Sequence, residues 1–158
     1  LAEHDPLTGL GNRRFLDRFL ARHSQDSAAH LTALLVDLDG LKAINDTHGH
    51  AAGDAAIVAV ARVLREVTRP QDVLVRLGGD EFLVVLPGAD RESGERVAER
   101  VVDRVGAMTL PDPGHEITLG VSLGVQFGCA SDLDLRALDQ ALYQAKREGK
   151  ARYVLVQA

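Results

Sequence analysis

Apolar positions recur along this chain with two alternating periods. Phe15, Leu16, Phe19 and Leu20 follow helical spacing behind the turn-prone Thr8-Gly9-Leu10-Gly11-Asn12, predicting a first helix. Leu31 to Val36 is a short apolar run closed by Asp37, as in a buried strand. A short helix is expected over Leu41 to Asp46, then a longer one from Ala52 to Val67 with Ile57, Val60, Leu64 and Val67 inward. Arg69-Pro70 ends it. Val73 to Leu77 and Phe82 to Leu86 read as strands joined by a hairpin at Gly78-Gly79-Asp80-Glu81. Val97, Val101 and Val105 mark a fourth helix, and Leu110-Pro111-Asp112-Pro113-Gly114 reads as a loop. Ile117 to Phe127 reads as one long strand with Gly120 and Gly124 as bulges inside it. Leu135, Leu138, Leu142 and Ala145 predict the last helix, and Tyr153 to Val156 a final strand. Hairpin strands interspersed with helices make an α/β sandwich, with a central five-stranded sheet, mixed but largely antiparallel, flanked by helices.

At 158 residues the chain fits one domain, residues 1–158, large enough to bury roughly 70% of its unfolded surface. A net charge of -5 and only six Phe and Tyr residues argue against a general nucleic-acid clamp or a base-stacking platform. One cysteine, Cys129, excludes an internal disulfide framework and suits a reducing compartment. No apolar run approaches the ~20 residues of a membrane span, so direct membrane contact by this domain is not expected. The first residue is Leu rather than Met, which points to a piece of a longer, regulatory protein. A cytoplasmic location is expected, although the whole protein can be membrane-anchored. Arginines outnumber lysines fifteen to three, yet Lys42, Lys146 and Lys150 all fall in segments singled out below.

Asp37 ends a buried strand, while Asp80 and Glu81 sit at the tip of a hairpin. Mg²⁺ takes one or two such carboxylates and completes its shell with phosphate oxygens. Gly78 and Gly79 let a phosphate approach the backbone without a Cβ in the way. An acidic hairpin tip alone is ordinarily a solvated turn. A carboxylate flanked by Val36 and Leu38 is different, because burying it without a partner is costly.

The string Arg76-Leu77-Gly78-Gly79-Asp80-Glu81-Phe82 resembles the signature of the GGDEF domain, the bacterial diguanylate cyclase, whose fold is of the nucleotide-cyclase or palm type. Asp5-Pro6-Leu7-Thr8-Gly9-Leu10 with Asn12-Arg13-Arg14 is similar to the family's opening motif. Asp37-Leu38-Asp39, Lys42, Ile44, Asn45-Asp46, Gly49-His50 and Gly53-Asp54 match its nucleotide-binding stretch. Ala141-Leu142-Tyr143, Ala145-Lys146 and Gly149-Lys150 match its C-terminal motif, so the resemblance covers nearly the whole chain.

The resemblance implies condensation of two GTP into cyclic di-GMP with release of two pyrophosphates, across a homodimer. It implies metal binding by Asp37, the Leu38 carbonyl, Asp80 and Glu81, with two Mg²⁺ or Mn²⁺ ions per site. Activation of the attacking 3′-hydroxyl falls jointly to Asp80 and Glu81. Positive charge at the phosphates falls to the metals with Lys42, Lys146 and Lys150. Asn45 and Asp54 match the guanine-contacting pair, since their oxygens accept from guanine N–H groups, and His50 a further substrate contact. A zinc site from His48 and His50 lacks another His or Cys pair at suitable spacing. Arg69-Pro70-Gln71-Asp72, with five residues between Asp72 and Gly78, matches an R-x-x-D inhibitory site for the product, and Arg100 lies where its second arginine is often found. An R-x-x-D by itself is otherwise a surface salt bridge.

Three departures touch the pocket: no aromatic at Gly40 or Leu41, Ala151-Arg152 where an Asn-Arg pair is usual, and Lys150 where Arg is frequent. None removes an acidic ligand. Two other readings are a cyclic di-GMP receptor without catalysis, using Arg69 and Asp72, and a regulatory GTP-binding module.

Overall fold

A strand buried on both faces needs a helical layer on each side, and the chain supplies both. In the computed structural model, which describes residues 2–23 and 29–157, that strand is β1 (His30–Leu38). Its side chains alternate between two cores. Leu34, Val36 and Leu38 face one cluster with α3 (His50–Val67) and α4 (Arg91–Gly106). Ala33 and Leu35 face the other, with Leu16 of α1 (Arg13–His23) and Leu138 and Leu142 of α5 (Leu135–Arg147). The expected sheet is present. Its five strands run in the order β2 (Val73–Gly78), β3 (Glu81–Pro87), β1, β6 (Val121–Cys129), β7 (Tyr153–Leu155), and only the β6–β7 pair is parallel.

Local chemistry fixes the helix boundaries. The carboxylate of Asp90 accepts from the Ser93 N–H at 2.8 Å and caps α4, while Asp134 accepts from Arg136 at 2.9 Å and caps α5. Short helix α2 (Leu41–His48) packs against α3, where Gly53 lets the helices approach closely: a Cβ there would lie 1.8 Å from the Asn45 side-chain oxygen. Phe82, fully buried one residue after Glu81, anchors the start of β3. Truncating a residue of this kind costs ~3–5 kcal/mol.

The sequence reading fails in one region. The long strand expected over Ile117 to Phe127 is two elements. β5 (His115–Thr118) pairs with β4 (Thr109–Asp112) in a separate hairpin, so the expected loop over Leu110 to Gly114 is mostly strand with its turn at Pro113-Gly114. Gly120 lies at the break, its carbonyl accepting from the Asp39 N–H at 2.8 Å. Gly124 is not a bulge either: it sits in a regular ladder opposite Leu35, where a Cβ would come within 2.4 Å of the Leu138 carbonyl oxygen. The irregularity lies instead in β2, between Arg76 and Gly78.

Candidate active site

The register of β1 and β3 brings the predicted acids together. Asp37 stands opposite Glu81, and the Leu38 N–H donates to the Asp80 carbonyl at 3.0 Å. The hairpin tip turns through Gly79 at φ +42, a left-handed conformation that glycine adopts without cost. A Cβ at Gly78 or Gly79 would meet no atom within 4 Å, so the tip is open to a ligand. Arg76 holds the turn from behind. Its Nη2 donates to the Gly79 carbonyl at 2.8 Å and its Nη1 to Asp5 at 3.1 Å. Burial pushes the Asp5 carboxyl up, but the hydrogen bonds from Thr8 and the Arg76 charge outweigh it and hold the group below its usual range.

The electrostatics of the acidic cluster are unbalanced. Burial, then the carboxyl of Asp80 beside it, raises the Asp37 pKa to about 7, with Lys146 opposing. Lys146 Nζ lies 3.1 Å from Asp37 Oδ2. The other oxygen, Asp37 Oδ1, is buried without a hydrogen-bond partner. Glu81 is also pushed up, first by burial and then by the negative charges of Asp139 and Asp80. An orphaned buried carboxylate oxygen among other acids is what a cation would relieve. Among the described residues no group of three His, Cys, Asp or Glu side chains forms a cage by itself.

The other predicted residues divide. His50 opens α3 and Asp54 lies one turn later, both exposed, while Asn45 packs over Gly53 between them. Lys42 pairs with Asp46 at 3.2 Å, and among the described residues no ion pair joins it to the acidic cluster. Lys150 is exposed just beyond α5 at φ +65. His48 bonds Asp112 on β4 at 2.8 Å, a contact between distant segments. Sequence reading missed Asp139 on α5, whose negative charge helps raise Glu81, and it gave no role to Asp39 of the Asp37-Leu38-Asp39 motif, which accepts from the Ser122 hydroxyl at 2.8 Å. Neither role has a local signal, since the partners are far away in the chain.

The sequence profile described as "Diguanylate cyclase, GGDEF domain" matches residues 2–152. The chain belongs to the GGDEF family. Among its relatives, the Escherichia coli K12 protein named "Diguanylate cyclase DosC" is 38% identical over 98% of this chain and 35% of its own length. An "Uncharacterized signaling protein" of Caulobacter vibrioides is 40% identical over 97% of this chain and 20% of its own. This GGDEF chain therefore spans less than half the length of the curated relatives it matches. Among solved structures, the GGDEF domain of DgcB from Caulobacter crescentus, in complex with c-di-GMP, superposes with a TM-score of 0.91 at 27% identity, covering 100% of this chain and 98% of that one.

A second cluster of predicted residues lies at the far end of β3. Arg69, Asp72 and Arg100, drawn from the α3–β2 turn and from α4, line one cleft of about 360 Å³ with Pro87 and Gly88. Asp72 is engaged within its own turn. Its Oδ2 accepts from the Arg69 N–H at 2.7 Å and its Oδ1 from the Arg69 guanidinium at 3.4 Å, leaving the side chain 3% exposed against 56% for Arg69.

Proposed function

We propose that this domain condenses two GTP molecules into cyclic di-GMP, Mg²⁺-dependent, between two facing copies. The observation that carries the reading is the buried, unpartnered Asp37 oxygen beside Asp80 at the open Gly78-Gly79 tip. Asp37, the Leu38 carbonyl, Asp80 and Glu81 are the residues that would hold two divalent ions, Mg²⁺ or Mn²⁺. Bound there, the ions supply Lewis acidity at the α-phosphate and lower the pKa of the attacking hydroxyl. In each half-reaction the 3′-oxygen of one GTP bonds to the α-phosphorus of the other, the bond to pyrophosphate breaks, and the hydroxyl proton passes to Asp80 or Glu81. Asp80 and Glu81 hold that role jointly. Lys146 and Lys150 attract the triphosphate, joined by Lys42, which pairs with Asp46 in the structure. Asn45 and Asp54 accept from the guanine edge, with His50 beside them.

The cleft of Arg69 and Arg100 takes the product, its guanidinium forks suiting phosphate and guanine acceptors, while Asp72 holds Arg69 in place. The similar DgcB domain was crystallised with c-di-GMP, which supports this ligand class. The reaction belongs in the cytoplasm, where GTP is held; no described helix is long and apolar enough to cross a membrane. Incubation with GTP and Mg²⁺, with products resolved by chromatography, should yield cyclic di-GMP at a specific activity that rises with protein concentration. GTP turned over to GMP or GDP alone would overturn the reading.

A further inference from the structure

The carboxylate of Asp39 ties together three segments that are far apart in the chain. Its Oδ1 accepts from the hydroxyl of Ser122, a fully buried residue of β6, at 2.8 Å. Its Oδ2 accepts from the Ala151 N–H at 3.1 Å, and Lys146 Nζ stands 3.8 Å from Oδ1. The Asp39 N–H itself donates to Gly120. With backbone and side chain both fixed, the carboxylate is a rigid acceptor aimed at the turn that follows α5.

That turn is strained. Lys150 and Ala151 hold consecutive left-handed conformations, φ +65 and +52, the only described non-glycine residues with positive φ. Side chains with a Cβ avoid this region unless the surroundings over-determine it, and such strain clusters at functional sites. An Asn tolerates it through its own side-chain hydrogen bonds. Ala151 has no such group, so the external acceptor of Asp39 takes that part.

We propose that Asp39 is a positioning residue that latches the α5–β7 turn, so that Lys146 and Lys150 present their charges to the leaving pyrophosphate. The inference rests on the phosphate-binding reading given above. It predicts a loss of phosphate binding that is separable from loss of metal. With inorganic pyrophosphate as the calorimetric probe in the presence of Mg²⁺, Asp39→Ala should weaken binding about tenfold. KM for GTP should rise by a similar factor, with kcat much less affected. Adding Ala151→Gly, which removes the conformational penalty, should recover a substantial part of both losses. Should Asp39→Ala fail to fold, Ser122→Ala, which releases the carboxylate, should raise KM severalfold in the same direction. Unchanged pyrophosphate binding in either folded variant would overturn the latch, as would a fall in kcat at constant KM. A protein that makes no cyclic di-GMP, yet loses pyrophosphate binding with Asp39→Ala, would instead sink the cyclase reading and leave the latch standing.

Discussion

The two ends of β3 carry two clusters with opposite electrostatic habits. At the Glu81 end, carboxylates crowd together, one buried oxygen lacks a partner, and Lys146 offsets the imbalance only in part. At the Pro87 end, the single acid is satisfied inside its own turn and an arginine is left projecting. On the proposed reading, a cation completes the first arrangement. The second is complete and merely offers donors. On the same reading, the end built for chemistry is the one whose charges the protein leaves unbalanced, and the end built for reversible binding the one whose charges it satisfies.

The sharpest break of this contrast is removal of an acid. Asp80→Ala or Glu81→Ala should lower cyclic di-GMP formation on the order of hundredfold or more, measured by chromatography of GTP incubations. If the acidic end were only a solvated turn, turnover would survive.

At the other end, Arg69→Ala should leave initial turnover near that of the parent while raising the cyclic di-GMP concentration needed for half-inhibition about tenfold, since one charge-assisted contact is lost. Inhibition that persisted unchanged would return Arg69 and Asp72 to a surface salt bridge.

The acidic end should also weaken the metal-free fold. Asp37 ionises near 3.8 when unfolded and near 7 when folded, so the folded chain holds the proton more tightly. Its contribution to stability is complete below about pH 4 and is lost as pH rises through 7. Thermal melts in chelator should therefore give a Tm that falls between pH 5 and pH 8. Asp37→Asn should flatten that slope and raise Tm at pH 8 by about 3 °C. Arg69→Ala should leave the slope as it is.

Much of this contrast is legible before folding. Asp37, Asp80 and Glu81 stand out because one ends an apolar run and two follow paired glycines, and register then brings Asp37 opposite Glu81. The arginine cleft is reachable only through resemblance, because Arg69 and Arg100 reach one cleft through packing of α4 against α3 and no local pattern encodes that. The contacts of Asp39 stay hidden for the same reason, its partners Ser122 and Ala151 being 83 and 112 residues away. The break between β5 and β6 escaped because periodicity reports burial, not partner: Ile117, Leu119 and Val121 are all buried, yet the ladder changes sheets between them.

One feature of the opening motif bears on how the protein behaves in concentrated solution. The Gly11 N–H donates to the Leu74 carbonyl at 3.0 Å, and the Arg76 N–H donates to the Gly11 carbonyl at 2.9 Å. These are outward-facing groups of β2, the edge strand of the sheet. Unpaired edges recruit other chains into shared ladders. The opening segment, through Gly11, therefore covers this part of the β2 edge, and β7, three residues long, offers little purchase on the opposite edge. A protein trimmed past Gly11 would leave the Leu74 carbonyl and the Arg76 N–H of β2 open as a template for edge-to-edge pairing.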